Sequence, residues 1–551
     1  MDLFGHLAQG LATAWSPENL FYCFLGVLIG TLVGVLPGVG PIAGMSLLIP
    51  ATFGMKPTTA MIMLAGIYYG AMYGGSTTSI LINVPGEAAS VVTAIDGYQM
   101  ARAGRAGPAL TIAAVGSFVA GTFSIVMLMI LAPPLAQLAL KVGPPEYFAL
   151  MILGFVLLAY LAQGSMVKAL MVAAVGVILG TVGIEPMSGY RRFTFGLPQL
   201  WEGLSFVPVV MGLFGLAEVL VSVERSLTQE VIRTRLRDLL PSRQEWRDSV
   251  GAILRGSVLG FGVGILPGPA TVLASFSAYT VEKRLSRHPE RFGRGAIEGV
   301  AGPEAANNSA TGGALVPLLA LGIPFAPAPA VMMGALMIHG VRPGPMLIEQ
   351  QPDFFWAVIV SMYIGNAMLL ILNLPLVGLF ASLLRVPAWY LQPLIALFCV
   401  VGVYSINYAM ADVWIMIAFG LLGYLLRHYG FEAAPLVLAL VLGPMLETSL
   451  RQSLIMSRGD LTIFITRPVS AALLLLALGL LVRPLANRRG PRRPPPNLPQ
   501  EPGCAGEAGA RSGTSHARGS AQTGLHFSDR PLARGAMARR SAGAARARGE
   551  P

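Results

Sequence analysis

The sequence predicts an all-α polytopic membrane protein, with about 11 to 13 membrane segments including re-entrant and broken helices, built as two inverted structural repeats. Three observations predict it. Of 551 residues, 54% are hydrophobic and only 12% charged, with a mean hydropathy of +0.66. A soluble domain carries roughly 25% charged residues, so lipid is the solvent for most of this chain. Apolar stretches long enough to cross a bilayer recur from Leu20 to Val482. The chain also repeats its own landmarks in order.

The apolar stretches fall near residues 20–50, 59–84, 109–132, 147–164, 168–184, 206–223, 249–281, 311–338, 354–384, 390–409, 412–427, 434–448 and 466–482. Several are too long or too short for a single span. Residues 224–248 are charge-dense, with Arg225, Arg233, Arg235, Arg237, Arg243 and Arg247 among acids, and read as an amphipathic linker. Residues 282–294 are basic. The segment 486–551 is rich in Arg, Pro, Gly and Ala, and such a composition cannot bury a core, so it reads as a disordered tail. The positive-inside rule puts all three on the cytoplasmic side. The organisation expected is therefore a first membrane half (1–223), the linker (224–248), a second half (249–485) and the tail (486–551).

The net charge of +11 raises a nucleic-acid partner, but the tail alone carries 12 Arg against 4 acids. The membrane body is nearly neutral, which excludes that reading. Cys23, Cys399 and Cys504 have no spacing for a disulfide framework or a zinc site. The first 18 residues contain no Lys or Arg, so no cleaved signal peptide is expected and the N-terminus is placed in the periplasm. His6, His288, His339, His428, His516 and His526 show no metal-ligand spacing. With no Ser-His-Asp order and no phosphate loop either, no enzyme is expected.

The repeat rests on four pairs. Gly34-Val-Leu-Pro-Gly38 is echoed by Gly264-Ile-Leu-Pro-Gly268, Val84-Pro85 by Ile323-Pro324, Gly107-Pro108 by Gly344-Pro345 and Pro134-Leu135 by Pro375-Leu376. The offsets are 230, 239, 237 and 241. The stretch 20–50 is flanked by few charges, whereas 249–281 is flanked on both sides by basic segments. Each stretch then starts and ends on one side of the membrane, and the two lie on opposite sides. Secondary transporters use this architecture, with binding sites at the repeat interface.

Candidate site residues follow from polarity inside apolar runs. Pro37, Gly38 and Gly40 interrupt the first run. Proline removes a donor and breaks the helix, and freed backbone groups at membrane depth must face protein or a water-filled cavity. The helix that resumes offers unpaired N–H groups to an anion. A packing kink is the plainer reading of one such break, but its recurrence at Pro267-Gly268 favours a site. Ser76, Thr77, Thr78 and Asn83 supply neutral donors in the first half, and Asn307, Asn308, Ser309 and Thr311 in the second. These groups suit an anion or a dehydrated sodium ion, or they simply bond neighbouring helices together. Glu304 is the candidate for a coupling ion, with an N-terminal cap as the alternative. Asp96, Glu87 and Glu298 read as loop or cap residues.

Several stretches resemble the large membrane subunit of the tripartite tricarboxylate transporters. They are Gly34-Val-Leu-Pro-Gly-Val-Gly-Pro41, Ala65-Gly-Ile-Tyr-Tyr-Gly-Ala-Met-Tyr-Gly-Gly-Ser-Thr-Thr-Ser-Ile-Leu81, Asn83-Val-Pro-Gly-Glu87, Gly143-Pro-Pro-Glu-Tyr-Phe148, Glu298-Gly-Val-Ala-Gly-Pro-Glu-Ala-Ala-Asn-Asn308 and Asn373-Leu-Pro-Leu376. The resemblance covers residues 20 to about 485. It departs at Phe325, where the family has a glycine after Ile-Pro, and at Pro269-Ala270 beyond the second Pro-Gly. It implies a permease in the bacterial inner membrane, working with a periplasmic solute-binding protein and a small four-helix membrane subunit. The implied substrate is a small carboxylate, taken up with Na+ or H+ and without other cofactors. A channel and a non-transporting assembly subunit are the rival readings.

Overall fold

The computed structural model describes residues 3–36, 38–162, 165–185, 187–224, 239–376, 379 and 388–486. Pro37, most of the charged linker (225–238) and the tail from residue 487, all singled out in the sequence, lie outside the described residues. Among the described residues the chain is helical, apart from a short antiparallel strand pair, β1 (Gly183–Ile184) with β2 (Arg191–Arg192).

The first half opens with α1 (Leu3–Ala14) and α2 (Pro17–Val35). Ser16 starts α2 by accepting from the Asn19 amide (3.4 Å), with Pro17 in the first helical position, where its missing donor costs nothing. The helix stops before the Pro-Gly motif and resumes as α3 (Gly40–Leu48). Val33 and Gly44 face each other across the break, so the two pieces fold back as a hairpin. There follow α4 (Pro57–Ile82), α5 (Val91–Arg102), α6 (Ala106–Ala139), α7 (Pro144–Tyr160), α8 (Met166–Gly180) and α9 (Phe206–Glu224), the last with a π-turn at Met211–Leu216.

The helix expected to open the second half at 249 starts earlier: α10 (Arg243–Gly264) takes in the last six residues assigned to the linker, because Ser242 and Glu245 form a reciprocal cap. It breaks at the second Pro-Gly and returns as α11 (Ala270–Leu285). Next come α12 (Glu298–Gly313), α13 (Pro327–Ile338), α14 (Pro345–Gln350) and α15 (Pro352–Asn373), then α16 (Ala388–Asn407), α17 (Met410–His428), α18 (Ala434–Met456), α19 (Ile463–Thr466) and α20 (Pro468–Ala486). Among the described residues, six helices are long and apolar enough to cross a membrane: α2, α6, α9, α15, α17 and α18. Shorter apolar helices, such as α7, α8 and α13, accompany them.

The two hairpins seat on their neighbours in the same register. Gly26, Gly30 and Gly34 of α2 press against the backbone of Met63, Ile67 and Ala71 of α4. Gly256, Gly260 and Gly264 of α10 do the same against Gly302, Ala306 and Ala310 of α12. Any side chain at these glycines would strike backbone, so only glycine lets the helices approach this closely. The offsets, 230 along the hairpins and 239 along their partners, are those of the sequence echoes. The correspondence continues past the helices: α4 ends in left-handed Asn83 (φ 57°), and Gly322 (φ 72°) stands at the equivalent place. The halves also interlock, since α3 packs on α13 while α11 packs on residues 88–90 and α5.

Candidate functional site

Helices α4 and α12 are almost wholly enclosed. Every residue from Thr59 to Ile82 is buried, as is every residue from Gly299 to Gly313. Polar groups on such helices must find partners in protein, because neither water nor lipid can serve them.

The central contact joins the two halves. Ser76 of α4 donates to Glu304 Oε2 (2.6 Å), and Thr93 of α5 donates to Glu304 Oε1. Glu304 is fully buried in the interior of α12, which overturns the alternative that it caps a helix end. One turn on, Asn308 Nδ2 donates to Ser117 Oγ of α6 (2.7 Å) and to the Glu304 carbonyl (3.1 Å). Asn307 Nδ2 donates to Glu87 Oε1 (3.0 Å). Glu87 is indeed a cap, accepting from the Ala89 amide (2.8 Å), but its second oxygen faces α12. The amide oxygens of Asn307 and Asn308 are buried without partners, as is Ser79 Oγ. Beside the Ser76 contact lies a small cavity lined by Tyr73, Ser76, Thr77, Leu110, Ala113, Ala114, Ser117 and Asn373, roomy enough for about one water. The Asn373 amide oxygen is also buried and unpartnered. Tyr73 in turn donates to Asn366 Oδ1 (2.8 Å).

The arrangement brings two carboxylates together with hydroxyl and amide donors only. Among the described residues neither Glu87 nor Glu304 is in an ion pair; their donors include Ser76, Thr93, Ser117, Asn307 and the Ala89 and Ser90 amides. A hydrogen-bonded cluster of carboxylate, hydroxyl and amide oxygens of this kind suits a cation better than an anion.

Other predicted residues sit elsewhere. Thr78 turns back to the Gly75 carbonyl (2.9 Å), and Thr311 to the Asn307 carbonyl (3.0 Å). Ser309 points away from the cluster and donates to the Ser257 carbonyl of α10 (2.6 Å), bonding helix to helix. Asn83 is exposed and ends α4. Gly40 opens α3 and lies near Glu87. Gly268, at the second tip, has φ 132° and donates its amide to the Phe325 carbonyl (2.9 Å). Gly38, at the first tip, has φ 85°, and a Cβ there would collide with the Glu218 carboxylate. Glu218 is held from its other oxygen by Arg427 Nη1 of α17.

Asp96 corrects another expectation. It lies inside α5, fully buried, and accepts from the amides of Gly293, Gly295 and Ala296 (2.8, 2.8 and 2.9 Å) and from Tyr279 (2.8 Å). It is neither a loop nor a cap residue but a tie between α5 and the turn before α12. Sequence reasoning also missed Thr93, Ser117 and the Glu218–Arg427 pair. A single hydroxyl in an apolar helix and an arginine in a last helical turn carry no distinguishing signal.

Residues 20–438 match the model of the tripartite tricarboxylate transporter TctA family. The chain belongs to that family. It is 52% identical over 482 residues to an uncharacterized 52.8 kDa protein in the TAR-I ttuC' 3' region of Agrobacterium vitis, covering 88% of this chain and 96% of the relative. It is 53% identical over 216 residues to an uncharacterized protein in the TAR-II ttuC' 3' region of the same organism, covering 39% and 89%. No solved structure matches the chain. The matched region of this TctA-family chain contains every described polar group of the central cluster.

Proposed function

We propose that the chain is the large permease subunit of a secondary, ion-gradient-driven system that imports small di- and tricarboxylates resembling citrate. In this reading it sits in the bacterial inner membrane with its N-terminus in the periplasm and its tail in the cytoplasm. A periplasmic solute-binding protein delivers the substrate, and a small four-helix membrane subunit completes the complex. Residues 1–223 and 249–485 are inverted halves. Ser76, Thr77, Asn307 and Asn308 form the neutral part of the site, Glu304 serves the coupling ion (Na+ or H+), and the hairpin tips flank the path.

One observation supports this placement above the others: the Ser76–Glu304 hydrogen bond joins the polar runs of the two halves inside a protein of this family. The adjoining cavity holds about one water, so a carboxylate of several carbons enters only when the helices around it move apart. That requirement fits alternating access and not an open pore.

The test is uptake of radiolabelled di- and tricarboxylates, citrate included, by cells producing the chain with its two partners. Accumulation above the external concentration is expected, and it should collapse when either the sodium or the proton gradient is dissipated. Equilibration without accumulation would point to a channel instead. Cysteines placed at Lys56 and Arg287, both exposed at hairpin bases, should be labelled from opposite sides of the membrane. Labelling from one side would remove the inverted repeat.

A further inference from the structure

The central cluster offers a ligand only neutral donors, and among the described residues no cation stands with them, so the charge of a di- or tricarboxylate must be met elsewhere. The first hairpin tip supplies the missing element. We propose that Arg427 binds a carboxylate group of the substrate at this tip, and that Glu218 occupies its place while the transporter is empty.

The geometry has three parts. Gly38 lacks a side chain, and the space a Cβ would fill is taken by Glu218 Oε1, so a carboxylate oxygen already lies against the tip. The other oxygen of the same carboxylate accepts from Arg427 Nη1. The pair is near the protein edge: the Arg427 side chain is 34% exposed and that of Glu218 12%. A guanidinium presents its donors in a planar fork that suits any carboxylate, whether from Glu218 or from a ligand. The exchange breaks one charge-assisted contact and makes another, and no covalent bond changes.

The second hairpin shows that this pair is no requirement of the fold. Its tip has the same glycine in the same register, yet Gly268 meets the Leu161 side chain and the Phe325 carbonyl. An ion pair is found at one tip, and a leucine with a backbone hydrogen bond at the other. The competing structural role is that Arg427 only steadies the end of α17, where a cation favours the helix dipole, and ties it to α9.

The inference rests on carboxylate import, so uptake by the unaltered chain with its partners is measured first; its absence removes import itself, while normal uptake with unaffected variants removes only the present inference. Arg427→Gln loses a charged hydrogen bond to the ligand and should raise KM by roughly 10- to 150-fold at unchanged membrane abundance. Glu218→Gln removes the resident competitor and should lower KM. A structural pair predicts the opposite pattern: both variants reduce abundance, and neither lowers KM. An unchanged KM in Arg427→Gln, or an unchanged or higher KM in Glu218→Gln, overturns the proposal. Should either variant be missing from the membrane, Arg427→Lys and Glu218→Asp preserve the charges and carry the same comparison. A higher KM for the lysine variant and a lower one for the aspartate variant support the assignment; any other pair of results overturns it.

Discussion

The two hairpins have one backbone design and two chemistries. In each, a glycine stripe seats the entering helix on the next long helix, and a glycine with positive φ turns the chain at the tip. Beyond that the tips diverge, one against a glutamate paired with an arginine and the other against a leucine and a backbone carbonyl. The stripes are demands of packing, because two helices in contact at backbone distance admit no side chain between them. The tips carry no such demand and are free to differ. A similar division runs through the polar residues of α12, where Ser309 serves the neighbouring helix while Glu304 and Asn308 turn inward.

The sharpest way to break the comparison is to replace a stripe glycine in each half. Gly30→Val and Gly260→Val each drive a branched side chain into backbone, against Ile67 and Ala306 respectively. Overpacking costs about 1–3 kcal/mol, and more where, as here, the obstacle is backbone that cannot retreat. Both variants should be nearly lost from the membrane fraction, to the same degree, in quantitative blots. If one half tolerates valine and the other does not, the shared register has no shared energetic basis.

How far the sequence could be read follows from the same contrast. The breaks at the two Pro-Gly motifs were legible, because proline ends a helix wherever it falls mid-span. Ser76 and Glu304 were legible singly as polar groups in apolar surroundings, but not as partners: 228 positions separate them, and only packing of α4 on α12 brings them together. Ser309 and Asn308 looked alike in a run of small and polar residues, and such a run does not announce which face meets the site. Arg427 was not singled out, because a cation near a helix end carries no distinguishing signal, and Glu87 looked like an ordinary cap.

A smaller effect should separate the site from its scaffold. Thr77 lines the cavity and Asn308 holds Ser117 beside it. Thr77→Val removes a donor at the cavity, and Asn308→Leu removes the amide that holds the Ser117 hydroxyl there; losing one such hydrogen bond costs roughly 1–3 kcal/mol, or about 5- to 150-fold in apparent affinity. Measured KM for carboxylate uptake should rise for both at normal abundance. If Thr77 and the Ser117 held by Asn308 serve one ligand, the double variant should lose less than the product of the single effects. Normal KM in both would remove these residues from the site while leaving the family untouched.

The smallest expected effect is at Ser309, the immediate neighbour of Asn308. Its hydroxyl is buried and donates to the Ser257 carbonyl on α10, on the far side of α12 from the Glu304 contact. Ser309→Ala deletes one neutral hydrogen bond without opening a large void, and the Ser257 carbonyl is left without that donor. Hydrogen bonds between membrane helices average about 0.6 kcal/mol, because the separated helices also find partners. A fall of about one degree or less in the midpoint of thermal aggregation in detergent is therefore expected, with KM for uptake unchanged. The paired result with Asn308→Leu is what gives the measurement its force. Adjacent residues on one buried helix would then divide cleanly, one acting on stability and the other on affinity. A raised KM in Ser309→Ala would show that the α10 face communicates with the cavity, and that the second glycine stripe is part of the transport machinery as well as its support.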